Sequence, residues 1–190
     1  EDGGREIGAF VRRGGRRTSP MVLGAVFPHA ACTEVAIACR CEGPTITISA
    51  ACTAGNVAIA HACEEILSER VDVMLAGGTD SSITPFSLAG FCAARLLPTG
   101  DDGNPQGISR PFDSTRGGGV LSEGAGIVVL ESLAHALARG AHIYAQVLGY
   151  AGNAEARDVY ELRSDDTFLE RSMRAVLAQT GVRATDVDYI

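Results

Sequence analysis

The chain has 190 residues, of which 46% are hydrophobic and 21% are charged, and its formal net charge at pH 7 is −7. This composition is typical of an ordinary globular domain and excludes a disordered or fibrous protein. No apolar run reaches the ~18 residues that cross a bilayer, and the acidic, glycine-rich start differs from a signal peptide, so we expect a cytoplasmic protein with no membrane partner. The acidic balance also argues against nucleic acid as a partner.

Hydrophobic periodicity predicts alternating strands and helices, which is the pattern of an α/β fold. In chain order the predicted elements are a helix near 29–41, a strand at 45–50, a helix at 53–69, a strand at 71–76, a helix at 85–96, a strand at 126–131, a helix at 133–139, a strand at 143–149, a helix at 166–179 and a strand from 187. Gly77 and Gly78 predict a turn, and Gly140 and Gly181 predict helix ends. The aperiodic stretch 99–119 predicts a long loop that covers a site or spans the surface.

The six cysteines are predicted to be reduced. A single residue separates Cys39 from Cys41, which is not a zinc-ligand spacing, and the chain contains no CxxC pair. A chain of this length and cysteine content does not need disulfide bonds. We therefore expect no metal site and no bound cofactor, and we expect five of the six cysteines to fill the core or an interface.

Cys52 is the exception, because it lies where a strand turns into a helix. Ile46 and Ile48 alternate before it, and the segment after it is apolar nearly all round, which predicts a helix buried on several sides. The unpaired N–H groups at a helix start favour negative charge on sulfur and can donate to an oxyanion. This placement favours a cysteine nucleophile, whereas a cysteine without such support is more often a small core residue.

Five motifs occur in order along the chain. They read GPTITISAACTAG at 43–55, VDVMLAGGTD at 71–80, GFCAAR at 90–95, SRPFD at 109–113 and EGAG at 123–126, the last followed by VLE at 129–131. In order and spacing these motifs resemble the β-ketoacyl synthases, the condensing enzymes of fatty acid and polyketide assembly. The segment RRTSP at 16–20 also resembles that family, and the resemblance weakens only around 151–167.

The resemblance implies a thiolase-like fold with layers in the order αβαβα. Residues 1–190 would be an incomplete part of it, with approximately 1–120 ending the N-terminal half and 121–190 starting the C-terminal half. It implies that an acyl group passes from a carrier-protein thioester to Cys52, and that a malonyl-type extender loses carbon dioxide and attacks the acyl-cysteine. Phe91 matches an aromatic position beside the acyl channel, so it lines the acyl pocket or is an ordinary core phenylalanine.

The resemblance also implies partners. The substrates would be phosphopantetheine thioesters on acyl carrier protein, which is acidic, and Arg95 and the basic cluster within 12–17 are candidate contacts for it. A solvated loop is the simpler interpretation of that cluster, and a solvated side chain is the simpler interpretation of Arg95. A homodimer is implied as well, in which the 45–50 strands run side by side across a two-fold axis with Ile46 and Ile48 close to it.

The family's cysteine works with two histidines and a lysine that have no counterpart in this sequence. We expect the four histidines that are present to be structural or surface residues: His29, His61, His135 and His142. The chain would then carry the nucleophile without the acid/base residues. We therefore expect the 190-residue chain by itself to be inactive in condensation.

Two loops depart from the family pattern. The family's Arg-Asp-Gly-Phe-Val run is replaced by RGGGV at 116–120, and its His-Met-Thr run is replaced near 158–163. We expect Arg110 and Asp113 to fix their loop and Glu123 to be a buried, hydrogen-bonding carboxylate. The departures leave the substrate range open.

Two alternative functions stay open. One is a non-catalytic partner subunit that resembles a chain-length factor and pairs with an active ketosynthase; such subunits have the nucleophile replaced, so Cys52 argues against it. The other is a thiolase-like enzyme that uses acyl-coenzyme A, although the SRPFD and EGAG motifs favour the carrier-protein branch.

Overall fold

The regular elements in the part of the chain that the structure describes are mostly helices, with two strands among them. The structure is a computed structural model, and it describes residues 8–12, 14–15, 19–22, 24, 27–98, 103–157, 165 and 167–190. The main elements are α1 (Ala30–Cys39), α2 (Ala54–Leu67), β1 (Val73–Asp80), α3 (Pro85–Ala93), β2 (Gly124–Glu131), α4 (Leu133–Ala138) and α5 (Thr167–Thr180). Short 3-10 helices occur at Ala51–Thr53, Pro105–Gly107 and Ala184–Asp186.

The five predicted helices are confirmed near their predicted positions. Capping residues in the sequence mark several of their ends. At the start of α3 the Thr84 side chain accepts the backbone N–H of Ser87 at 3.1 Å. At the start of α4 the Ser132 hydroxyl accepts the N–H of His135 at 3.3 Å. These are N-caps that satisfy otherwise unpaired donors. The helix ends predicted at Gly140 and Gly181 are also confirmed, each with a positive φ.

The chain divides into two compact units. Unit one comprises Glu1–Ala58 and Leu75–Val129, and unit two comprises Ile59–Met74 and Leu130–Ile190. The predicted division near residue 120 concerns the halves of a larger fold and stays a prediction.

β1 and β2 form a two-stranded sheet. The N–H of Ser132, just after β2, donates to the carbonyl of Asp72, just before β1, at 2.9 Å. Further along, Gly77 lies against Gly126 and Ile127. Contacts between the end of one strand and the start of the other are those of an antiparallel pair.

The turn predicted at Gly77 and Gly78 is wrong, because both residues lie inside β1. A Cβ atom at position 77 would overlap the carbonyl oxygen of Gly126 on β2. A glycine inside a strand often marks such a close approach of two backbones. The absence of a side chain, and not a turn conformation, is what this position requires.

The segments 45–50, 143–149 and 187–190, which were predicted to be strands or the start of one, are not strands within the described residues. Alternating apolar residues indicate two faces, whereas a strand also needs a neighbour whose backbone completes its hydrogen bonds. The described part of the chain supplies no such neighbour. Ile46 is 55% exposed and Leu148 is 61% exposed, so apolar side chains as well as backbone lie open along these segments.

Burial is sparse among the described residues. The buried hydrophobic side chains there are Ala62, Ala76 and Ala136. The helix predicted at 53–69 was expected to be buried on several sides, and this is wrong for α2, in which Ala62 and Glu65 are the buried residues. The alanines bury little area, since burial scales with apolar surface, and large side chains such as Val129 on β2 remain exposed.

All six cysteines are free. Cys32 and Cys63 are half-buried and the other four are exposed. Of the five expected to fill the core or an interface, Cys39, Cys41 and Cys92 therefore do not lie in a core. Their place in an interface stays a prediction.

Some predictions fall outside the described residues. These are most of the basic cluster (Arg13, Arg16 and Arg17), the first part of the 99–119 loop (99–102) and the replaced run near 158–163. Within the described part, no helix combines the length and the apolar character needed to cross a membrane.

Candidate active site

Cys52 lies in a tight turn that opens into α2. Residues Ala51–Thr53 form a 3-10 helix, and α2 starts at Ala54, whose N–H bonds to the carbonyl of Ala51. The thiol-bearing residue is exposed. A sulfur at this position is close to the positive end of the α2 dipole and to the N–H groups that have no partner within the helix. The predicted junction is thus present as a turn followed by a helix, while the segment before it lacks strand pairing.

The backbone around Cys52 is strained on one side and clamped on the other. Ala51, directly before it, has a φ of 49°, in a region where a residue with a Cβ costs about 1–2 kcal/mol. Thr53, directly after it, donates twice to the carbonyl of Ala50, from its hydroxyl at 2.7 Å and from its N–H at 3.2 Å. We call this pair of hydrogen bonds the Thr53 clamp. The sequence reasoning missed this clamp. The tendency of Thr hydroxyls to bond a carbonyl three or four residues back was the signal available for it.

Two further contacts support the turn within unit one. The first turn of α2 contacts β1 through glycines, since a Cβ at Gly55 would lie 3.6 Å from the backbone nitrogen of Gly78. The Cys32 thiol on α1 donates to the carbonyl of Ile46 at 3.3 Å. β1 therefore supports the residues that follow Cys52, through Gly55. α1 supports the segment that precedes Cys52, through the bond to Ile46.

The predicted acyl-pocket residue, Phe91, lies on α3 and is 37% exposed. The segment before α3 is fixed by Glu123, whose Oε1 accepts the N–H of Ile83 at 2.8 Å and the hydroxyl of Ser81 at 3.2 Å. Glu123 is a hydrogen-bonding carboxylate as predicted, but it is exposed rather than buried. Its partner Ser81 was not identified from the sequence.

The SRPFD loop is held by a different contact from the predicted one. The Asp113 carboxylate accepts the hydroxyl and the N–H of Thr115, both at 2.7 Å. These bonds come first among the causes that hold the pKa of Asp113 below its ordinary value, and the charge of Arg110 adds a smaller effect. We expected Arg110 and Asp113 to fix the loop as a pair. In the structure, the hydrogen bonds between Asp113 and Thr115 fix it instead.

The triple-glycine run packs against the end of α3. The N–H of Gly119 donates to the carbonyl of Leu96 at 2.9 Å. Gly118 has a φ of 141°, and a Cβ there would lie 2.8 Å from the same carbonyl oxygen. Gly118 therefore requires the absence of a side chain, whereas a Cβ at Gly117 would make only an ordinary contact with Pro98.

The four histidines make contacts of the structural kind expected for them. His29 stacks on Phe27, and His142 meets Tyr144 edge-on. His61 lies 3.7 Å from a Glu65 oxygen, and His135 Nδ1 lies 3.2 Å from a Glu131 oxygen.

Two carboxylates in unit two are held by arginines. Hydrogen bonds from Arg139, reinforced by His135, keep the pKa of Glu131 below its ordinary value although burial opposes this. Arg70 donates to both oxygens of Glu65 at 2.7 and 2.8 Å and lowers its pKa in the same way. Both carboxylates are thus kept ionised by structural ion pairs.

Two other groups in unit two have raised pKa values. The Tyr150 hydroxyl donates to Glu64, and this bond raises the pKa of the phenol. Burial raises the pKa of the Cys63 thiol. A thiol with a raised pKa is a poor nucleophile at neutral pH.

An open depression of about 450 Å³ lies at the C-terminal end of α1. It is lined by Thr33, Ala36, Ile37, Arg40, Cys41, Glu42 and Thr45. Neither Cys52 nor Phe91 lines it, so its position does not match the candidate site. Among the described residues, no cluster of three or more His, Cys, Asp and Glu side chains is arranged to hold a metal ion.

Comparisons with known protein sequences agree on one family. The family profile described as "Beta-ketoacyl synthase, N-terminal domain" matches residues 5–136. The chain is 43% identical over 178 residues to the 3-oxoacyl-[acyl-carrier-protein] synthase 2 of Rhizobium meliloti (strain 1021), covering 94% of this chain and 42% of that protein. It is 38% identical over 181 residues to the chloroplastic 3-oxoacyl-[acyl-carrier-protein] synthase I of Arabidopsis thaliana, covering 95% of this chain and 38% of that protein.

Solved structures give the same result. A ketosynthase bound to a hexaketide, in complex with its type II PKS acyl-carrier protein (AntDE:AntF), matches with a TM-score of 0.91 and 32% identity over 98% of this chain and 47% of that one. A β-ketoacyl synthase from Burkholderia phymatum matches with a TM-score of 0.88 and 28% identity over 100% of this chain and 46% of that one. The chain thus spans less than half the length of these relatives.

These neighbours are ketosynthases of the thiolase-like fold, so the predicted α/β fold class is confirmed. The profile match covers more than half of the chain and includes both Cys52 and Phe91. By sequence and by structure, this chain belongs to the β-ketoacyl synthase family.

Proposed function

We propose that the protein is a condensing acyltransferase of the β-ketoacyl synthase type, acting in fatty acid or polyketide biosynthesis. The observation that carries this proposal is the exposed Cys52 in the turn that opens α2. A thiol there combines access for a substrate with the favourable electrostatics of a helix start. The names of the relatives, which are acyl-carrier-protein synthases, support the same reaction class.

The reaction has two steps. The Cys52 thiolate attacks the carbonyl carbon of an acyl thioester, the carbon–sulfur bond to the carrier breaks, and the departing pantetheine thiolate takes up a proton. A malonyl-type thioester then loses carbon dioxide, and the electron pair of the broken carbon–carbon bond attacks the acyl-Cys52 carbonyl. The Cys52 thiolate is released and a β-ketoacyl thioester remains on the carrier.

Two groups of this chain assist that chemistry in our proposal. The backbone N–H of Cys52 is one donor to the oxyanion of the tetrahedral intermediate. Phe91 lines the acyl pocket, and the Glu123 contacts that fix residues 81–83 support its position through the start of α3. The acid/base residues for decarboxylation are not among the residues of this chain, so we expect the chain alone not to condense substrates.

Acyl carrier protein is the proposed partner. One structural neighbour is a ketosynthase in complex with its acyl-carrier protein, which supports the assignment. Arg95, two residues beyond the last residue of α3 (Ala93), is the proposed contact for the acidic carrier. A cytoplasmic location remains a prediction, since one relative is named as chloroplastic.

A homodimer is the proposed assembly. The segment 45–50 has no ladder partner within the described residues, and Ile46 is 55% exposed. Pairing two copies of this segment across a two-fold axis would satisfy its backbone and cover its apolar face.

Acyl transfer to the thiol tests the proposal directly. The complete protein that carries this chain is incubated with an acyl thioester of pantetheine, and the adduct is located by intact-mass and peptide mass spectrometry. We expect one acyl group on Cys52, none on Cys52→Ala, and unchanged labelling in Cys92→Ala, which removes another exposed thiol. Acylation at Cys92, or none at all in a folded protein, would overturn the proposal.

The partner and the acyl donor are tested by competition. The complete protein that carries this chain is given equal concentrations of acyl-carrier-protein and acyl-coenzyme A thioesters that bear distinct isotopic labels. We expect the carrier-protein label on Cys52. Preferential transfer from acyl-coenzyme A would favour the thiolase-like alternative, and a protein that dimerises but accepts neither label would favour the non-catalytic subunit.

A further inference from the structure

We propose that Thr53 is a positioning residue for the nucleophile, and that its hydroxyl holds Cys52 in its reactive orientation. This inference rests on the proposed role of Cys52. It concerns a residue whose side chain does not touch the substrate in our mechanism. It is drawn from the hydrogen bonds on either side of the thiol.

The two ends of the Thr53 clamp lie on either side of Cys52. The donor, Thr53, follows Cys52 and the acceptor, the carbonyl of Ala50, precedes it by two residues. The hydroxyl and the N–H of Thr53 meet on one oxygen, at 2.7 and 3.2 Å. Any change in the distance between these two residues rotates the peptide units that carry Cys52.

The backbone inside the clamp is strained. Ala51 has a φ of 49°, in the left-handed region that alanine rarely adopts. Ala50, with φ −138° and ψ 37°, is also outside the regular helical and strand regions. A strained backbone persists only where its surroundings hold it, and the Thr53 side chain supplies the shorter of the two bonds that close this turn.

The turn that carries Cys52 is exposed. Ala51, Cys52 and Thr53 are all exposed, so packing does little to fix them and water competes for the Ala50 carbonyl. A backbone N–H bond at 3.2 Å is at the long end of the normal range, whereas an O–H bond at 2.7 Å is at its optimum. The hydroxyl is therefore the contact that decides whether the turn keeps its shape.

The consequence is chemical. With the turn closed, the sulfur is presented at the start of α2, where helix N–H groups favour negative charge. Without the hydroxyl, Ala51 relaxes towards ordinary φ values and the thiol turns away from that position. Catalytic groups displaced by about 1 Å lose up to two orders of magnitude in rate, so a modest rotation is enough to matter.

The test measures how fast Cys52 is alkylated by iodoacetamide, by quantitative peptide mass spectrometry, with the exposed Cys92 in the same molecule as the internal reference. Thr53→Val removes the hydroxyl and keeps the shape, Thr53→Ala removes both, and Thr53→Ser keeps the hydroxyl. The matched control is Thr33→Val, because Thr33 bonds the carbonyl of His29 at 3.1 Å in the same manner on α1.

We expect Thr53→Val and Thr53→Ala to slow alkylation of Cys52 relative to Cys92 by about tenfold, while Thr53→Ser and Thr33→Val leave the ratio within about twofold of the original. Adding Ala51→Gly to Thr53→Val should recover part of the rate, since glycine adopts this φ without strain. A Cys52 to Cys92 ratio unchanged in both hydroxyl-free variants would overturn the inference. If either Thr53→Val or Thr53→Ala fails to fold, the other still tests the inference.

A second readout separates positioning from general stability. In acyl transfer by the complete protein, loss of the Thr53 hydroxyl should lower the rate at saturating thioester and leave KM unchanged, because the substrate contacts are intact. An increase in KM alone would contradict the inference. Alkylation does not depend on acyl transfer, so failure of the proposed function and failure of the Thr53 role give different results.

Discussion

Gly77 on β1 approaches Gly126 on β2 so closely that a Cβ atom at position 77 would lie 2.0 Å from the Gly126 carbonyl oxygen. The same Cβ would lie 2.9 Å from the Cα of Ile127. Both obstacles are backbone atoms and cannot move aside as a side chain can. The close approach of the two strands therefore depends on glycine at this position.

Gly77→Ala should accordingly lower the free energy of unfolding by at least about 2 kcal/mol, the upper part of the range for overpacking. Urea unfolding followed by circular dichroism measures it. Gly126→Ala is the matched control, because nothing lies within 4 Å of a Cβ at that position. It should raise the free energy of unfolding by at most about 1 kcal/mol and should not lower it. Equal effects from both variants would contradict the close-approach model.

Glu131 makes stability depend on pH in the acid range. Its pKa is held below the ordinary value, by Arg139 first, so the ionised form is favoured in the folded protein. The resulting stability is present above the unfolded pKa of about 4.3 and is lost as the pH falls through the lower folded value. Urea midpoints measured from pH 6 to pH 3 should therefore fall, and fall less steeply for Glu131→Gln. Glu170→Gln, which alters an exposed pair with Arg174, should retain the original slope.

Phe91 should control acyl-chain preference. Phe91→Ala in the complete protein is expected to lower kcat/KM for the preferred acyl thioester by about tenfold and to shift the preference towards other chain lengths, because apolar contact with the chain is lost. Phe86→Ala on the same helix is the control, since Phe86 is 89% exposed. A competition assay with thioesters of several lengths measures both. Loss of activity without a change in preference would count against a pocket role.

Ile46 should be important for assembly. Ile46→Lys places a charge on the segment proposed to pair across the two-fold axis, and burial of an unpaired charge is costly. We expect light scattering at micromolar concentration to show a monomer or aggregate for this variant and a dimer for the original protein. Leu137→Lys, at a similarly exposed apolar position (64%), should leave the dimer intact. If Ile46→Lys remained a soluble dimer, the interface would have to lie elsewhere on the protein.

The helices could be predicted from the sequence because their determinants are local. Thr84 and Ser132 cap helix starts, and Gly140 and Gly181 follow helix ends, within a few residues of the periodicity that they delimit. The family and the fold class could be predicted for a related reason, since the motifs around Cys52 keep their order along the chain. Local chemistry was sufficient for these features.

Features that depend on distant neighbours could not be predicted. Gly77 was assigned to a turn because no residue near it in the sequence indicates that it packs against Gly126. The strand predicted at 45–50 has the right alternation but no partner among the described residues. Glu123 was expected to be buried, yet its partners Ser81 and Ile83 lie at the surface. The Thr53 clamp is different, because it joins residues only three apart and the tendency of Thr hydroxyls to bond a carbonyl three or four residues back predicts it.

The glycine contacts of β1 also bear on the order of folding. The turn at Cys52 rests on β1 through Gly55 and Gly78. β1 pairs with β2, and α3 and the other residues between Asp80 and Gly124 separate the two strands along the chain. Closing such a long loop delays pairing relative to helix formation. During synthesis, α2 therefore forms before the sheet that supports its first turn, and the reactive thiol reaches its final geometry only once residues far downstream have joined it.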